Sequence, residues 1–324
     1  MENKLIISPA PHVHGPNKTQ NLMMYVLIAL IPALVVSTVV YGVRVLALTL
    51  FSVCCCLLFE WLIQRYMLRG KLTINNLSAA VTGVLLAFNL PVNIPLWMVA
   101  IGALVAIGVA KMTFGGLGKN IFNPALVGRV FMLIAFPVAM TTFPEAADAI
   151  SGATPLTMAK EALKNGVPVA EVMQSVSVKD MFVGIESGSI GEISALALLI
   201  GGLYLFWSRV ITWHIPVAVL GSMAVFSLIT WLVAPEAYMS PLFHLMGGGA
   251  MLGAWFMATD YVTSPMTPKG AIIFGVGVGV ITMLVRLWGA YPEGMSFAIL
   301  IMNALVPLID KYVLPKRFGA TAKK

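Results

Sequence analysis

An all-α integral membrane protein is the fold class this 324-residue sequence predicts, and three observations carry the prediction. Hydrophobic residues make up 59% of the chain and charged residues only 10%, with a mean hydropathy of +0.93. A soluble domain carries about 25% charged residues, so too little polar surface remains here to cover a globular core. Apolar stretches near the ~20 residues needed to cross a bilayer recur along the whole chain. Lys and Arg also gather in alternate connecting segments, as the positive-inside rule requires of a multi-pass protein.

Ten spans follow from the apolar runs, near 22–41, 44–64, 76–92, 95–113, 124–142, 190–207, 214–234, 242–259, 270–288 and 294–313. Residues 1–21 precede them as a polar segment, and 314–324 follow as a basic tail. The third span is short and ends at Asn89, Leu90 and Pro91, where a helix should stop. The eighth runs from Gly253 to Asp260, with Pro265 beyond it. With the N-terminus inside, fourteen of the 20 Lys and Arg fall on the cytoplasmic side, including the cluster Lys311, Lys316, Arg317, Lys323 and Lys324. Arg44, Lys160, Lys164 and Lys179 fall on the other. Both termini are therefore expected in the cytoplasm, in a bacterial or archaeal cytoplasmic membrane.

Residues 143–189 form the one long extramembrane stretch, placed outside by this topology. It carries six acids, Glu145, Asp148, Glu161, Glu171, Asp180 and Glu186, against three lysines. A helix from Pro155 to Lys164 is expected within it, stopped by Gly166 and Pro168. Five spans precede this loop (22–142) and five follow it (190–313). An odd number starts the second set from the opposite side, the requirement for two inverted five-helix repeats.

Within the loop stands Asp148-Ala149-Ile150-Ser151-Gly152-Ala153-Thr154-Pro155. On residue chemistry alone, Thr154 is a helix N-cap and Pro155 suits the first helical position. The same string, D-x-x-S-G-A-T, resembles the flavin-attachment pattern of membrane subunits of Rnf complexes and of Na⁺-pumping NADH:quinone oxidoreductases. The resemblance extends to Phe114-Gly115-Gly116-Leu117-Gly118-Lys119-Asn120-Ile121-Phe122-Asn123-Pro124, to Gly188-Ser189-Ile190-Gly191-Glu192, to Ala258-Thr259-Asp260 with Thr267-Pro268-Lys269-Gly270, and to Ser296-Phe297-Ala298-Ile299-Leu300 with Asn303, Pro307 and Asp310. Ser8-Pro9 and Pro11-His12 are similar to its N-terminal signature, although Ala10 and Pro11 separate Pro9 from the histidine.

The resemblance implies covalent FMN, joined through its phosphate to Thr154 by a flavin transferase, with Asp148, Ser151, Gly152 and Ala153 forming the attachment motif. Gly152 and Ala153 should leave the acceptor hydroxyl uncrowded. It also implies that a second, noncovalent flavin is a possibility for the family. The compact length fits the Rnf D-type subunit better than the longer quinone-reductase B-type subunit. The function so implied is an electron relay within a multisubunit complex that passes electrons between ferredoxin and NAD⁺ and couples this to Na⁺ or H⁺ movement. The partners are other membrane and peripheral subunits and the lipid bilayer. The quinone-linked complex is the alternative inside the family; a non-redox small-solute transporter or channel is the alternative outside it.

Further candidates for a flavin or ion pathway are Gly115, Gly116, Asn120, Asn123, Arg129, Glu192 and Asp260. The Gly-rich segment reads either as a tight loop between spans, where Gly permits positive φ, or as irregular backbone lining a site. Arg129, one turn into its span, is expected to snorkel to the cytoplasmic side. Glu60 and Asp260 are expected to meet water near inner ends, and Glu192 to be a first-turn acid. His214 and His244 read as interfacial anchors, and Gly275, Gly277 and Gly279 as close-packing positions. Two histidines, His12 and His14, do not make a metal site. Consecutive Cys54, Cys55 and Cys56 point about 100° apart on a helix, so they cannot converge on one ion. No metal site is expected. The net charge of +7 is accounted for by cytoplasmic loops, and no nucleic-acid partner is expected.

Overall fold

The computed structural model describes residues 18–69, 72–144, 151–152, 154–165, 169, 178–184 and 188–314. Expectations for the N-terminal signature, His12, His14, Asp148, Ala153 and the basic tail lie outside the described residues.

The fold is helical. The first half contains α1 (Thr19–Tyr41), α2 (Arg44–Leu62, continuing as a π-turn to Met67), α3 (Ser78–Phe88), α4 (Leu96–Leu104, continuing as a π-turn to Met112), α5 (Pro124–Ala135) and α6 (Pro137–Thr141). The loop contributes a two-residue antiparallel pair, β1 (Phe143–Pro144) with β2 (Ser151–Gly152), then α7 (Pro155–Asn165) and α8 (Val178–Val183). The second half contains α9 (Ala195–Trp207), α10 (His214–Val233), α11 (Pro241–Met246), α12 (Ala250–Leu252, continuing as a π-turn to Met257), α13 (Pro268–Trp288) and α14 (Met295–Tyr312).

Five helices are long and apolar enough to cross a membrane: α1, α2 with its π-turn, α10, α13 and α14. Shorter apolar helices are α3, α4 with its π-turn, α5 and α9. The outer surface carries Val39, Leu50, Ile134, Trp207, Val225 and Leu232, all exposed. A belt of this extent is what lipid covers. The chain is a multi-pass membrane protein.

Three expected spans are interrupted. The third is an eleven-residue helix that ends at Phe88, followed by a turn through Asn89 to Pro95. The eighth divides at Gly247–Gly249, with Gly248 and Gly249 both at positive φ. The fifth kinks at Phe136, where Pro137 denies the helix a backbone donor.

In the first half α2 packs against α3 and α4, and α5 against the π-turn of α4; in the second, α10 packs against α11 and α13, and α13 against α14. The first helices of the two halves, α1 and α9, pack on each other. The α10–α13 contact depends on Gly275 and Gly279. A Cβ at Gly275 would lie 2.6 Å from Ala218 Cβ, and one at Gly279 would lie 2.7 Å from the Val219 carbonyl oxygen. The expected close-packing role is thus met at both. Cys54, Cys55 and Cys56 run from exposed to buried along α2 and are free thiols.

Candidate functional site

α7 begins where Pro155 fixes a helical φ and needs no donor partner. Thr154 caps it: the Thr157 N–H donates to Thr154 Oγ1 at 3.3 Å, and the Met158 N–H donates to the Thr154 carbonyl at 2.9 Å. The two threonine hydroxyls share a hydrogen bond of 2.8 Å. Leu156, Ala159 and Ala162, spaced along one face of α7, pack with Val169, Met181, Met239 and Phe243 in a small core separate from the main one. Just upstream, pairing of Ser151–Gly152 with Phe143–Pro144 folds the motif back against the end of α6.

This seating corrects the expectation of an uncrowded hydroxyl. Thr154 is only 6% exposed, because the apolar face of α7 draws its first turn onto the helices beneath. It opens instead onto two neighbouring cavities. One, of roughly 370 Å³, is lined also by Met181, Glu192, Gly247 and Gly248. The other, of roughly 400 Å³, is lined also by Arg129, Thr157, Tyr291 and Glu293.

Arg129 does not snorkel. It is buried on α5 and turns toward the Thr154 end of the bundle, where Nη1 donates to Asn89 Oδ1 at 2.7 Å and to Ser296 Oγ at 2.9 Å. Its Nη2 pairs with Glu293. The guanidinium thus joins the stump of α3, the start of α14 and the turn before α14. A fork with fixed donors satisfies three segments at once, which outweighs reaching for solvent. Glu192 is not in a first turn either. α9 begins at Ala195, capped by Ser194, and Glu192 sits in the preceding turn, where Ser189 Oγ donates to its Oε2 at 2.8 Å.

At the opposite end, where α1 begins, a larger cavity opens between the halves. Its empty volume is roughly 720 Å³, and its polar lining includes Ser78, Lys111, Asn120, Asn123, Thr259 and Asp260. The Gly-rich segment forms one wall: Gly115, Gly116 and Gly118 all have positive φ, and the chain turns there before α5. The segment is thus a tight loop, and through Leu117 and Asn120 it also lines the cavity. Asn123 caps α5 by accepting from the Ala125 N–H at 3.1 Å, and its Nδ2 donates to the Met257 carbonyl at 3.1 Å. Asn120 Oδ1 is buried with no partner among the described residues. Asp260 is half-buried and accepts from Thr263 Oγ1 at 3.1 Å.

Glu60 does not meet water. It is fully buried, and Lys111 Nζ lies 2.6 Å from its Oε2 while also donating to Ser78 Oγ at 2.7 Å. His244 is likewise no interfacial anchor, being 1% exposed beneath α7. His214 is half-buried and stacks on Trp213, as an interfacial residue can. Among the described residues no group of His, Cys, Asp and Glu could hold a metal ion.

The candidates thus fall into two groups. Thr154, Arg129 and Glu192 share the loop end, while Asn120, Asn123 and Asp260 share the other; Gly115 and Gly116 shape the loop beside the second group. Sequence reading passed over Asn89, Lys111, Glu293 and Ser296. The signal available for Lys111 was a lysine inside an apolar run together with Glu60 in another, a pairing that insertion cost alone makes worth seeking.

Broken helices that bring buried polar side chains to interior cavities define a class: polytopic membrane proteins with a polar interior. The sequence pattern of the NQR2, RnfD, RnfE family matches residues 6–319. Among curated relatives, the D subunit of the Na⁺-translocating ferredoxin:NAD⁺ oxidoreductase complex of Acetobacterium woodii is 44% identical, covering 100% of this chain and 98% of its own. The D subunit of the proton-translocating ferredoxin:NAD⁺ oxidoreductase complex of Clostridium ljungdahlii is 42% identical, covering 98% and 97%. The D subunit of the ion-translocating oxidoreductase complex of Yersinia pseudotuberculosis is 35% identical, covering 97% and 98%. The chain belongs to the NQR2, RnfD, RnfE family.

Proposed function

We propose that this chain is the D-type membrane subunit of an Rnf-type complex, serving as an electron relay that carries FMN covalently on Thr154. The complex would couple electron transfer between ferredoxin and NAD⁺ to cation translocation, a reaction that the names of the Acetobacterium and Clostridium relatives give for their complexes. One observation supports the site most: Thr154, last residue of the S-G-A-T string, stands at a helix N-terminus with its side chain on the wall of two interior cavities.

The residues fit a flavin phosphate ester. The first turn of α7 offers the positive end of its dipole to an anion. Arg129 lines the same cavity as the threonine, and Thr157 stands beside the acceptor oxygen. Bound there, the flavin would supply the one- and two-electron chemistry, while the protein holds and orients it. Burial by α7 keeps the tethered group local, and Thr157 and Arg129 supply donors around the linkage. A flavin transferase would have to reach Thr154 before α7 settles into place, or with α7 lifted. The cavity lined by Asn120 and Asn123 suits a second, noncovalent flavin, because Asn120 Oδ1, without a partner among the described residues, is a ready acceptor for an imide N–H.

The architecture we propose is ten spans in two inverted five-helix repeats, with both termini cytoplasmic and the α7 loop outside. The matched packing of α2, α3 and α4 with α10, α11 and α13 supports it. So do the two broken helices, α3 with its turn and α11 with α12, at corresponding places.

The test is flavin fluorescence of the denatured chain in a gel, after expression with a flavin transferase, beside Thr154→Ala. A fluorescent wild-type band and a dark variant are expected. Two dark bands, with the transferase active on a control substrate, would refute the assignment.

A further inference from the structure

Among the described residues Arg286 is a buried cation without a counter-charge in contact. It is 4% exposed on α13, and its terminal nitrogens donate to three backbone carbonyls: His244 at 2.5 Å, Gly247 at 2.7 Å and Gly248 at 2.7 Å. These carbonyls belong to the end of α11 and the break after it. Among the described residues no carboxylate reaches ion-pair distance of Arg286, on which Glu192 acts only through space, whereas Lys111 and Arg129 each have one in contact. Burying a charge is costly unless it is paired, and carbonyl dipoles neutralise no net charge.

Three further nitrogens point to what is missing. Arg286 Nε and both ring nitrogens of His244, Nδ1 and Nε2, are buried with no hydrogen-bond partner among the described residues. Most buried polar atoms in proteins are bonded, so the two orphaned donors among them, Arg286 Nε–H and one ring N–H of His244, ask for one explanation. Both side chains line the same small cavity, with roughly 30 Å³ open to the centre of a water-sized sphere. Lys160, on α7, lines it too, and its Nζ donates to the Tyr291 carbonyl at 2.7 Å. The rest of the lining is apolar apart from the Tyr238 hydroxyl, and among the described residues no Asp or Glu contributes to it.

We infer that this cavity is a binding site for a small monovalent inorganic anion of halide size, held by Arg286, His244 and Lys160. An anion there supplies a counter-charge in contact with Arg286 and accepts from Arg286 Nε–H and from the one ring N–H of a neutral His244, whose other ring nitrogen is an acceptor that the anion does not meet. The site sits directly under α7, since Leu156, Ala159 and Lys160 all face it. Occupancy therefore fastens the helix that Thr154 caps onto α11 and α13. This inference stands whether or not Thr154 carries flavin.

The test uses the full chain in its purified complex, in gluconate buffer, with bromide or chloride titrated at constant ionic strength. A ligand that binds only the folded state raises the unfolding temperature along a saturating curve. Wild type is expected to show that curve with bromide and chloride and not with sulfate, which is too large and doubly charged. His244→Leu should raise the half-saturating concentration about tenfold, as loss of one hydrogen bond to an ion would. If that variant does not accumulate, Lys160→Met should shift the curve in the same direction. Bromide anomalous scattering from the wild-type complex should give a peak between Arg286 and His244. A response that is linear and alike for all salts, a curve unchanged in the variants, or a cavity holding water alone would overturn the inference.

Discussion

Removing the charge of Lys111 should unbalance the bundle more than any other single substitution of an ionisable residue in it. Lys111 is 2% exposed and Glu60 fully buried, and they meet at 2.6 Å across α2 and the π-turn of α4. Lys111→Met deletes two hydrogen bonds, to Glu60 and to Ser78. Among the described residues Glu60 then keeps the neutral donors Gln64 Nε2 and Thr73 Oγ1, both at 3.2 Å. Breaking a buried pair by removing one partner costs about 3–5 kcal/mol, because the survivor is an uncompensated charge. Replacing both partners removes that charge as well, so Glu60→Gln with Lys111→Met should lie within about 1–2 kcal/mol of wild type. With each single at about 3–5 kcal/mol, the double-mutant coupling energy should therefore reach at least about 4 kcal/mol. Equilibrium unfolding of the full chain in mixed detergent measures all four corners of the cycle. Single variants that each cost less than about 1 kcal/mol, with additive effects in the double, would refute the reasoning.

Three further substitutions test other joints of the fold. Gly279→Val forces side-chain atoms into the Val219 backbone and should cost about 1–3 kcal/mol by overpacking; unfolding at the wild-type detergent ratio would contradict the close packing of α10 and α13. Arg129→Met should leave Glu293 without its partner and destabilise by about 3 kcal/mol, with adding Glu293→Gln restoring much of the loss; an equal or larger loss in the double variant would argue against the pairing. Thr154→Ala should loosen the first turn of α7 by about 1 kcal/mol through the lost cap while Thr154→Ser does not, read as faster protease cleavage in the loop; equal cleavage of both would deny the cap.

Much of this was legible from the residues, for reasons that differ by element. Apolar length marked α1, α2, α10, α13 and α14, since crossing a bilayer leaves few other uses for such runs. Pro155 with Thr154 announced α7 almost to the residue, because capping chemistry is local. The breaks near Asn89 and Gly247 were half visible: Pro91 gave the first, but nothing within Gly247-Gly248-Gly249 says whether a helix bends or stops. What failed was partner choice. Arg129, Glu60 and His244 were each assigned to water or the interface, because a chain position close to a span end suggests solvent. Their destinations depend on segments as distant as Glu293 for Arg129 and Lys111 for Glu60. Burial of Thr154 likewise arises from the far side of α7, where Leu156 and Ala159 meet Met239 and Phe243.

The turn ahead of α9 has a consequence for how such a chain is made. Ile190 N–H donates to the Leu90 carbonyl at 3.2 Å and Gly191 N–H to the Phe88 carbonyl at 2.8 Å, at the stump of α3. Tyr41 at the end of α1 bonds both the carbonyl and the N–H of Gly188 at 3.0 Å. A Cβ on residue 191 would sit 2.7 Å from Phe88 Cγ. In a chain that stopped within the α7 loop, the Phe88 and Leu90 carbonyls would lack these two donors, and bare carbonyls are poorly tolerated where water is excluded. The end of α3 is thus finished by residues made only after the loop, so fragments made separately would have to meet before that end is capped.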